Sequence, residues 1–160
     1  MKSNKGSIKG FTLIELLIVI AIIVVLAAAV FVALNPAKRF ADARDSRRSS
    51  DVTNIIAALK TSQVDSGGTY IASVTAMTAA TAYVIGTDAT GCNTGCTAQT
   101  TAAACVDLTA LQTAGYLGSI PMDPTSGAAT KTDYYLIKNA SGTLTAGACD
   151  PENAPISLSR

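Results

Sequence analysis

Residues 11–34 read FTLIELLIVIAIIVVLAAAVFVAL, an apolar run broken only by Thr12 and Glu15. At 1.5 Å per residue such a run makes about 36 Å of helix, enough to cross a hydrocarbon core of about 30 Å. It is too long for the apolar region of a discarded secretory signal, about 7–15 residues. Asn35-Pro36 follows it without an evident cleavage site, so a retained membrane anchor is expected.

The flanks set the expected orientation. Lys2, Lys5 and Lys9 precede the run with no acid among them and favour a cytoplasmic N-terminus. Lys38, Arg39, Arg44, Arg47 and Arg48 follow it, with only Asp42 and Asp45 among them, and a simple count makes this flank the more basic. The cysteines resolve the conflict. Cys92, Cys96, Cys105 and Cys149 all lie beyond the anchor, and an even count there reads as disulfides in an oxidising compartment. Free thiols and a four-cysteine zinc site are the other readings, although the spacings are not those of paired zinc knuckles. Of the three connectivities open to four cysteines, Cys96–Cys105 with Cys92–Cys149 is the expectation.

Composition narrows the function classes. The 160 residues are 49% apolar and 14% charged, below the roughly 25% usual in soluble domains. Without the first ten residues the chain keeps nine basic and eleven acidic side chains, a net of −2. That balance argues against sequence-specific nucleic-acid binding, which needs a basic surface. The chain has no histidine, and no nucleophile–base motif or phosphate-cradling glycine loop is evident. No catalysis, cofactor or metal is expected.

Glu15 is the informative exception within the anchor. A carboxylate in an apolar helix costs roughly 2.5–3.5 kcal/mol on insertion scales, so something must compensate it. It either sits near the membrane edge or pairs with a positive charge brought by another copy of the chain. Lys9-Gly10-Phe11-Thr12-Leu13-Ile14-Glu15 resembles the N-terminal signal of type IV prepilins and pseudopilins. The resemblance implies a cytoplasmic leader, residues 1–10, cut after Gly10 by a prepilin peptidase, with methylation of the new N-terminal Phe11. It implies that residues 11–35 serve first as the transmembrane anchor and then as filament core. Glu15 would contact the Phe11 amine of a neighbouring subunit during assembly. The implied partners are further copies of the chain, the peptidase and an assembly platform in the inner membrane of a bacterium.

Beyond the anchor, Pro36 is expected to kink or melt the helix near Ala33–Pro36. An amphipathic helix is expected over 36–66, with Val52, Ile55, Ile56 and Leu59 as its inward stripe and Gly67-Gly68 as its stop. The alternating charges from Lys38 to Asp51 fit a solvated face, a surface between subunits, or contact with anionic lipid or wall polymer. Residues 67–160 are expected to form a small β-rich extracytoplasmic domain. Candidate strands are Tyr70–Val74, Tyr83–Gly86, Tyr134–Lys138 and Thr143–Ala148, the last two joined by a turn at Asn139–Gly142. A short helix is expected from Asp107 to Gly115, an irregular stapled loop at 91–105, and an extended, mobile tail past Pro151. The expected class is α+β, a long helix packed on a small antiparallel sheet, as in pilin-like folds.

The stretch from Tyr116 to Tyr135 is similar to major pseudopilins of type II secretion, which carry a Pro-x-Asp-Pro turn before an aromatic strand; Pro121, Asp123, Pro124, Tyr134 and Tyr135 fit. Those proteins also bind calcium in a C-terminal loop, but no acidic cluster at ligand spacing appears here, Thr125 stands where a Trp often follows, and Asp123 reads as a turn residue. The sequon Asn139-Ala140-Ser141 falls at the hairpin tip, where a turn asparagine is the default reading. The functional expectation is a structural subunit of a type IV pilus-like extracellular filament. The alternatives are a major pseudopilin of a periplasmic secretion filament and, from another class, an uncleaved single-pass membrane-anchored binding module.

Overall fold

The computed structural model describes residues 10–160. The expected leader, apart from Gly10, and its lysines Lys2, Lys5 and Lys9 lie outside the described residues. The chain divides into two compact units at the step from Arg39 to Phe40, past the break that Asn35 makes between the first two helices.

The first unit is built on helix α1, Leu13–Leu34. Thr12 caps it: its hydroxyl accepts the Glu15 N–H, while the Glu15 carboxylate accepts the Thr12 N–H at 2.8 Å. This reciprocal capping box satisfies two backbone donors that the first turn leaves open. No residue of α1 is buried, and its most apolar 18-residue window has a mean hydropathy of 3.5.

The expected break near Pro36 is confined to one residue. Asn35 closes α1 in the left-handed region at φ 40°, and helix α2, Pro36–Asp65, begins at once. The Asn35 side-chain oxygen accepts the Lys38 N–H at 3.4 Å, so the residue that ends one helix caps the next. Pro36 then occupies a first turn, where its missing N–H would have had no partner in any case. Gly67 and Gly68, at φ 67° and 95°, stop α2, and the Gly68 N–H donates to the Gln63 carbonyl at 2.8 Å.

The second unit is the domain. The part of α2 that belongs to it buries Arg48, Val52, Ile55, Ile56, Ala58, Leu59 and Ser62, a single stripe at helical spacing. The sheet has four antiparallel strands in the order β1-β2-β3-β4: β1 Ala82–Val84, β2 Tyr134–Lys138, β3 Leu144–Ala148 and β4 Ser157–Ser159. Register follows the two-residue period of β2. Tyr134 and Leu136 join Ile55, Ile56 and Leu59 in the main core, whereas Tyr135 points to the other face, with Val84, Cys92 and Cys149. Gly147 lets the Tyr135 ring lie across β3, since a Cβ there would collide with the ring and with the Ile156 carbonyl.

Two expectations change, and a third is borne out in a shorter form. Tyr70–Val74 is not a strand: Ala72–Thr75 forms the short helix α3, and the Tyr70 hydroxyl is held by Lys60 at 2.5 Å and donates to the Gly142 carbonyl. With no strand beside it, the segment closes on itself. The second short helix, α4, covers Thr109–Thr113, with the Asp107 carboxylate accepting the Thr109 N–H at 2.8 Å. The tail is not a free extension. It supplies β4, whose Leu158 packs on the main core, and the Ala148 N–H donates to the Ile156 carbonyl at 3.0 Å. Pro151 and Pro155 bracket the segment before that strand and hid it.

Candidate functional site

The first candidate is the start of the anchor, Gly10 to Glu15. Gly10 has no side chain, and nothing lies within 4 Å of where one would be; Phe11 is 87% exposed. An exposed backbone at a glycine suits entry into a protease cleft, which needs an extended and unhindered chain. Glu15 stands one helical turn further on. Its Oε2 also accepts the Thr12 hydroxyl at 2.8 Å, so the carboxylate is turned back onto Thr12, the residue next to Phe11. The carboxylate is therefore held at the helix N-terminus, where the helix dipole and open N–H groups favour negative charge.

The second candidate was not foreseen as a cluster. Arg48, read as one of several alternating surface charges, is fully buried, and Asp123, read as a turn residue, is 4% exposed. The Arg48 guanidinium grips Asp123 with two bonds, Nε to Oδ2 at 2.6 Å and Nη2 to Oδ1 at 3.0 Å. It also donates to Asp45 at 2.9 Å, to Glu152 at 3.0 Å and to the Thr125 hydroxyl at 2.9 Å. Arg44 adds a second fork onto Glu152, both bonds at 2.5 Å. The Asp45 carboxylate accepts the backbone N–H groups of Glu152 and Asn153 at 3.1 and 2.9 Å. Forked, charge-assisted bonds of this kind are the strong ones, and a buried charge demands them.

The electrostatics follow from that geometry. Burial pushes the Asp123 carboxyl up, but the Arg48 guanidinium and the Thr125 and Ser126 donors outweigh it and hold the group well below the usual carboxylate range. Burial likewise raises Asp45, and the donors from Glu152, Arg48 and Asn153 reverse the sign. Glu152 is pulled down to about 2, chiefly by Arg44 and then by Arg48. Asp133 goes the other way: burial raises it, against weaker help from Ser126 and Lys131. The cluster binds α2 to the 123–126 turn and to the C-terminal segment.

The cysteines form the third group. Cys92 is joined to Cys105 and Cys96 to Cys149, not in the expected pairs. The reason is the path of the loop. The Cys92 N–H donates to the Ala103 carbonyl at 2.9 Å and the Thr101 hydroxyl to the Cys92 carbonyl at 2.7 Å, which folds the loop back so that Cys92 meets Cys105. The Ala98 N–H and Thr97 hydroxyl both donate to the Cys149 carbonyl at 3.0 Å and bring Cys96 over the end of β3. Among the described residues no group of histidine, cysteine or acidic side chains is arranged to hold a metal ion.

Residues 5–31 match the family model described as the prokaryotic N-terminal methylation motif, the signal of type IV pilins and pseudopilins. No curated protein and no solved structure matches the chain. The motif spans the cleavage candidate Gly10–Phe11, Glu15 and most of α1.

Proposed function

We propose that the chain is a structural subunit of a type IV pilus-like extracellular filament, without catalytic activity of its own. The match of residues 5–31 to the methylation motif carries this reading. The motif implies processing by a prepilin peptidase and assembly from the membrane. In this reading the leader is removed between Gly10 and Phe11, Phe11 is methylated, and α1 holds the subunit in the cytoplasmic membrane with its N-terminus inside. The α+β domain then stands outside.

Glu15 acts in assembly. An amine and a carboxylate in a medium of low dielectric attract strongly when well paired, and an unpaired one is costly. Cleavage creates an amine on Phe11, beside Thr12, to which the Glu15 carboxylate is already bonded. In a neighbouring subunit the same carboxylate offers the partner for that amine, and satisfying it fixes register along the filament. The uncovered apolar surface of α1 supports the same reading, since a helix with no buried residue needs lipid or other helices around it.

A second reading, a major pseudopilin of a secretion system, draws on Pro121, Asp123 and Pro124. That turn is held through Asp123 on the buried Arg48. Surface shearing followed by electron microscopy with antibody to the domain separates the possibilities. Long labelled filaments that disappear in a Gly10→Glu variant support the pilus reading. Short periplasmic filaments support the pseudopilin. Label confined to membranes in both strains contradicts assembly and leaves an anchored binding module.

A further inference from the structure

All five tyrosines lie in the domain, and four of them place the hydroxyl in a bond within the chain. Tyr70 donates to the Gly142 carbonyl at 3.0 Å, Tyr116 to Asp65 at 3.0 Å and Tyr134 to Asp51 at 2.9 Å, while the Tyr83 hydroxyl accepts the Thr78 N–H at 3.3 Å. Tyr135 is the exception. The residue is only 4% exposed, yet among the described residues its hydroxyl has no partner. No fully enclosed side-chain oxygen is left unbonded, so this one reaches open space. A phenylalanine would pack the same ring without the oxygen, and a largely buried hydroxyl normally finds a partner.

Tyr135 lines a cleft of about 370 Å³, at the small end of the roughly 300–1,000 Å³ usual for small-molecule sites. One wall is the 97–99 segment. The Cys96–Cys149 bond fastens it, and the Ala98 N–H donates to the Cys149 carbonyl at 3.0 Å. The other wall belongs to the segment from Pro151 to Ser157. The Asp45 carboxylate holds it through the Asn153 N–H and side-chain amide, both at 2.9 Å, and the Ala148 N–H holds it through the Ile156 carbonyl at 3.0 Å. Both walls are therefore set in advance, which lowers the ordering cost of binding.

The lining selects the ligand. No lysine, arginine, aspartate or glutamate lines the cleft, and the adjacent Asp150 turns its carboxylate to the Thr97 hydroxyl at 2.8 Å. An ion would lose hydration there without gaining a counter-charge, so the ligand is neutral. Pro151, Pro155 and Ile156 supply apolar surface; the Tyr135 hydroxyl, the Gln99 amide and the Asn153 Oδ1, whose Nδ2 is taken by Asp45, supply donors and acceptors. A wholly apolar ligand would leave the Tyr135 hydroxyl unpaired. A peptide adding as a strand would need a free edge, but β3 is paired on both sides and the two prolines carry no N–H. A sugar ring has what remains: C–H faces for the prolines and isoleucine, and neutral hydroxyls that both donate and accept. We propose that this cleft binds a neutral pyranose, with the Tyr135 hydroxyl bonding it from the floor and Gln99 and Asn153 from the rim. The proposal does not rest on the filament reading.

The test uses the full chain in dodecylphosphocholine micelles, whose headgroup carries no sugar, and follows amide NMR shifts during titration. The probes are glucose, galactose and N-acetylglucosamine, each as the free sugar and as the methyl glycoside, with glucuronate as the charged control. Shifts at Gln99, Ala148, Asn153 and Ile156 are expected to saturate for at least one neutral probe, with a Kd on the order of millimolar, and glucuronate should bind at least about tenfold more weakly. Binding of the free sugar alone assigns a free monosaccharide, and binding of its methyl glycoside as well assigns the end of a glycan chain; either supports the proposal. Tyr135→Phe should weaken binding at least about tenfold and keep the melting temperature within about 2 °C of wild type, since no bond within the chain is lost. Gln99→Ala should weaken binding several-fold, also without a change in melting. No saturable shift with any neutral sugar overturns the proposal and leaves a hydroxyl that is solvated only. Wild-type binding by Tyr135→Phe overturns it too, as does a clear drop in that variant's melting temperature, which would mean that the hydroxyl serves the fold. So does acetyl-trialanine amide shifting the same amides where no sugar does.

Discussion

Glu15 and Arg48 both carry a charge where water does not surround it, one in an apolar helix and one buried in the domain, and the chain treats them in opposite ways. Arg48, in the domain, finds Asp123, Asp45, Glu152 and Thr125 within hydrogen-bond reach, all from its own chain. Glu15, on α1, finds Thr12, in a helix with no buried residue. The domain is complete in one molecule, and its strongest polar cluster is internal. The apolar helix is uncovered in one molecule, and in the proposed function its surface and its carboxylate are completed by neighbours. A filament subunit needs that division, a part that folds alone and a part that is finished by assembly.

The comparison breaks most visibly at Glu15. Glu15→Ala should leave membrane insertion intact, since it removes a costly polar group from an apolar helix, and should lower recovery in sheared filaments by about tenfold or more, the equivalent of one lost ion pair of 1.4 kcal/mol or above. Normal recovery would show that the carboxylate does not serve assembly. Arg48→Ala should do the reverse. It leaves Asp123 buried without its cation and is expected to cost about 3–5 kcal/mol of domain stability, read by thermal melting. Arg48→Met with Asp123→Asn should recover more than half of that loss, because the fully buried charge at position 123 is gone, while Asp45 keeps the Glu152 and Asn153 N–H donors and Glu152 keeps Arg44.

Acid should act on the same cluster. Asp45, Asp123 and Glu152 are all held below their ordinary values, so their contribution is fully present above the unfolded values of about 4. It is lost as pH falls through the folded values, near 2 for Glu152 and well below the ordinary carboxylate range for Asp123. Asp133, raised by burial, has the opposite sign and offsets part of the loss. The melting temperature should therefore hold steady from about pH 8 to 5 and fall below about pH 4, and the fall should be reduced in the Arg48→Met, Asp123→Asn pair.

Two smaller effects sharpen the contrast within the domain. Gly147→Ala drives a methyl into the Tyr135 ring and the Ile156 carbonyl, and overpacking of this kind costs about 1–3 kcal/mol. Arg47→Ala removes an exposed pair, 3.8 Å from Asp51 with the arginine side chain 65% exposed, and should stay within about 0.5 kcal/mol. Arg47 and Arg48 are adjacent in sequence, and the predicted gap between them is the difference between a screened and a buried charge.

That pair also shows where the sequence was legible and where it was not. The anchor, the Val52–Leu59 stripe, the Gly67-Gly68 stop and the Tyr134–Ala148 hairpin follow from local spacing, because helix and strand periods are local properties. The motif around Gly10 and Glu15 was legible because it is contiguous. The burial of Arg48 was not: its partners Asp123 and Glu152 lie 75 and 104 residues away, and nothing in a run of alternating charges says which member turns inward. The same holds for β4, which exists through its register with Thr145–Gly147, and for the disulfide pairs, which follow the path of the 92–105 loop. A weak signal for the cluster was present in Asp123 lying between Pro121 and Pro124, a rigid turn that fixes where a carboxylate points.

The central claim, that this chain is processed into a subunit finished by its neighbours, is tested most directly by intact mass and N-terminal sequencing of protein sheared from the surface of the native cell. A chain beginning at N-methylated Phe11, ten residues shorter than the 160 of the full sequence and recovered in a sheared high-molecular-weight fraction, is the predicted result. A chain that still carries residues 1–10 and is found only in membranes would contradict it.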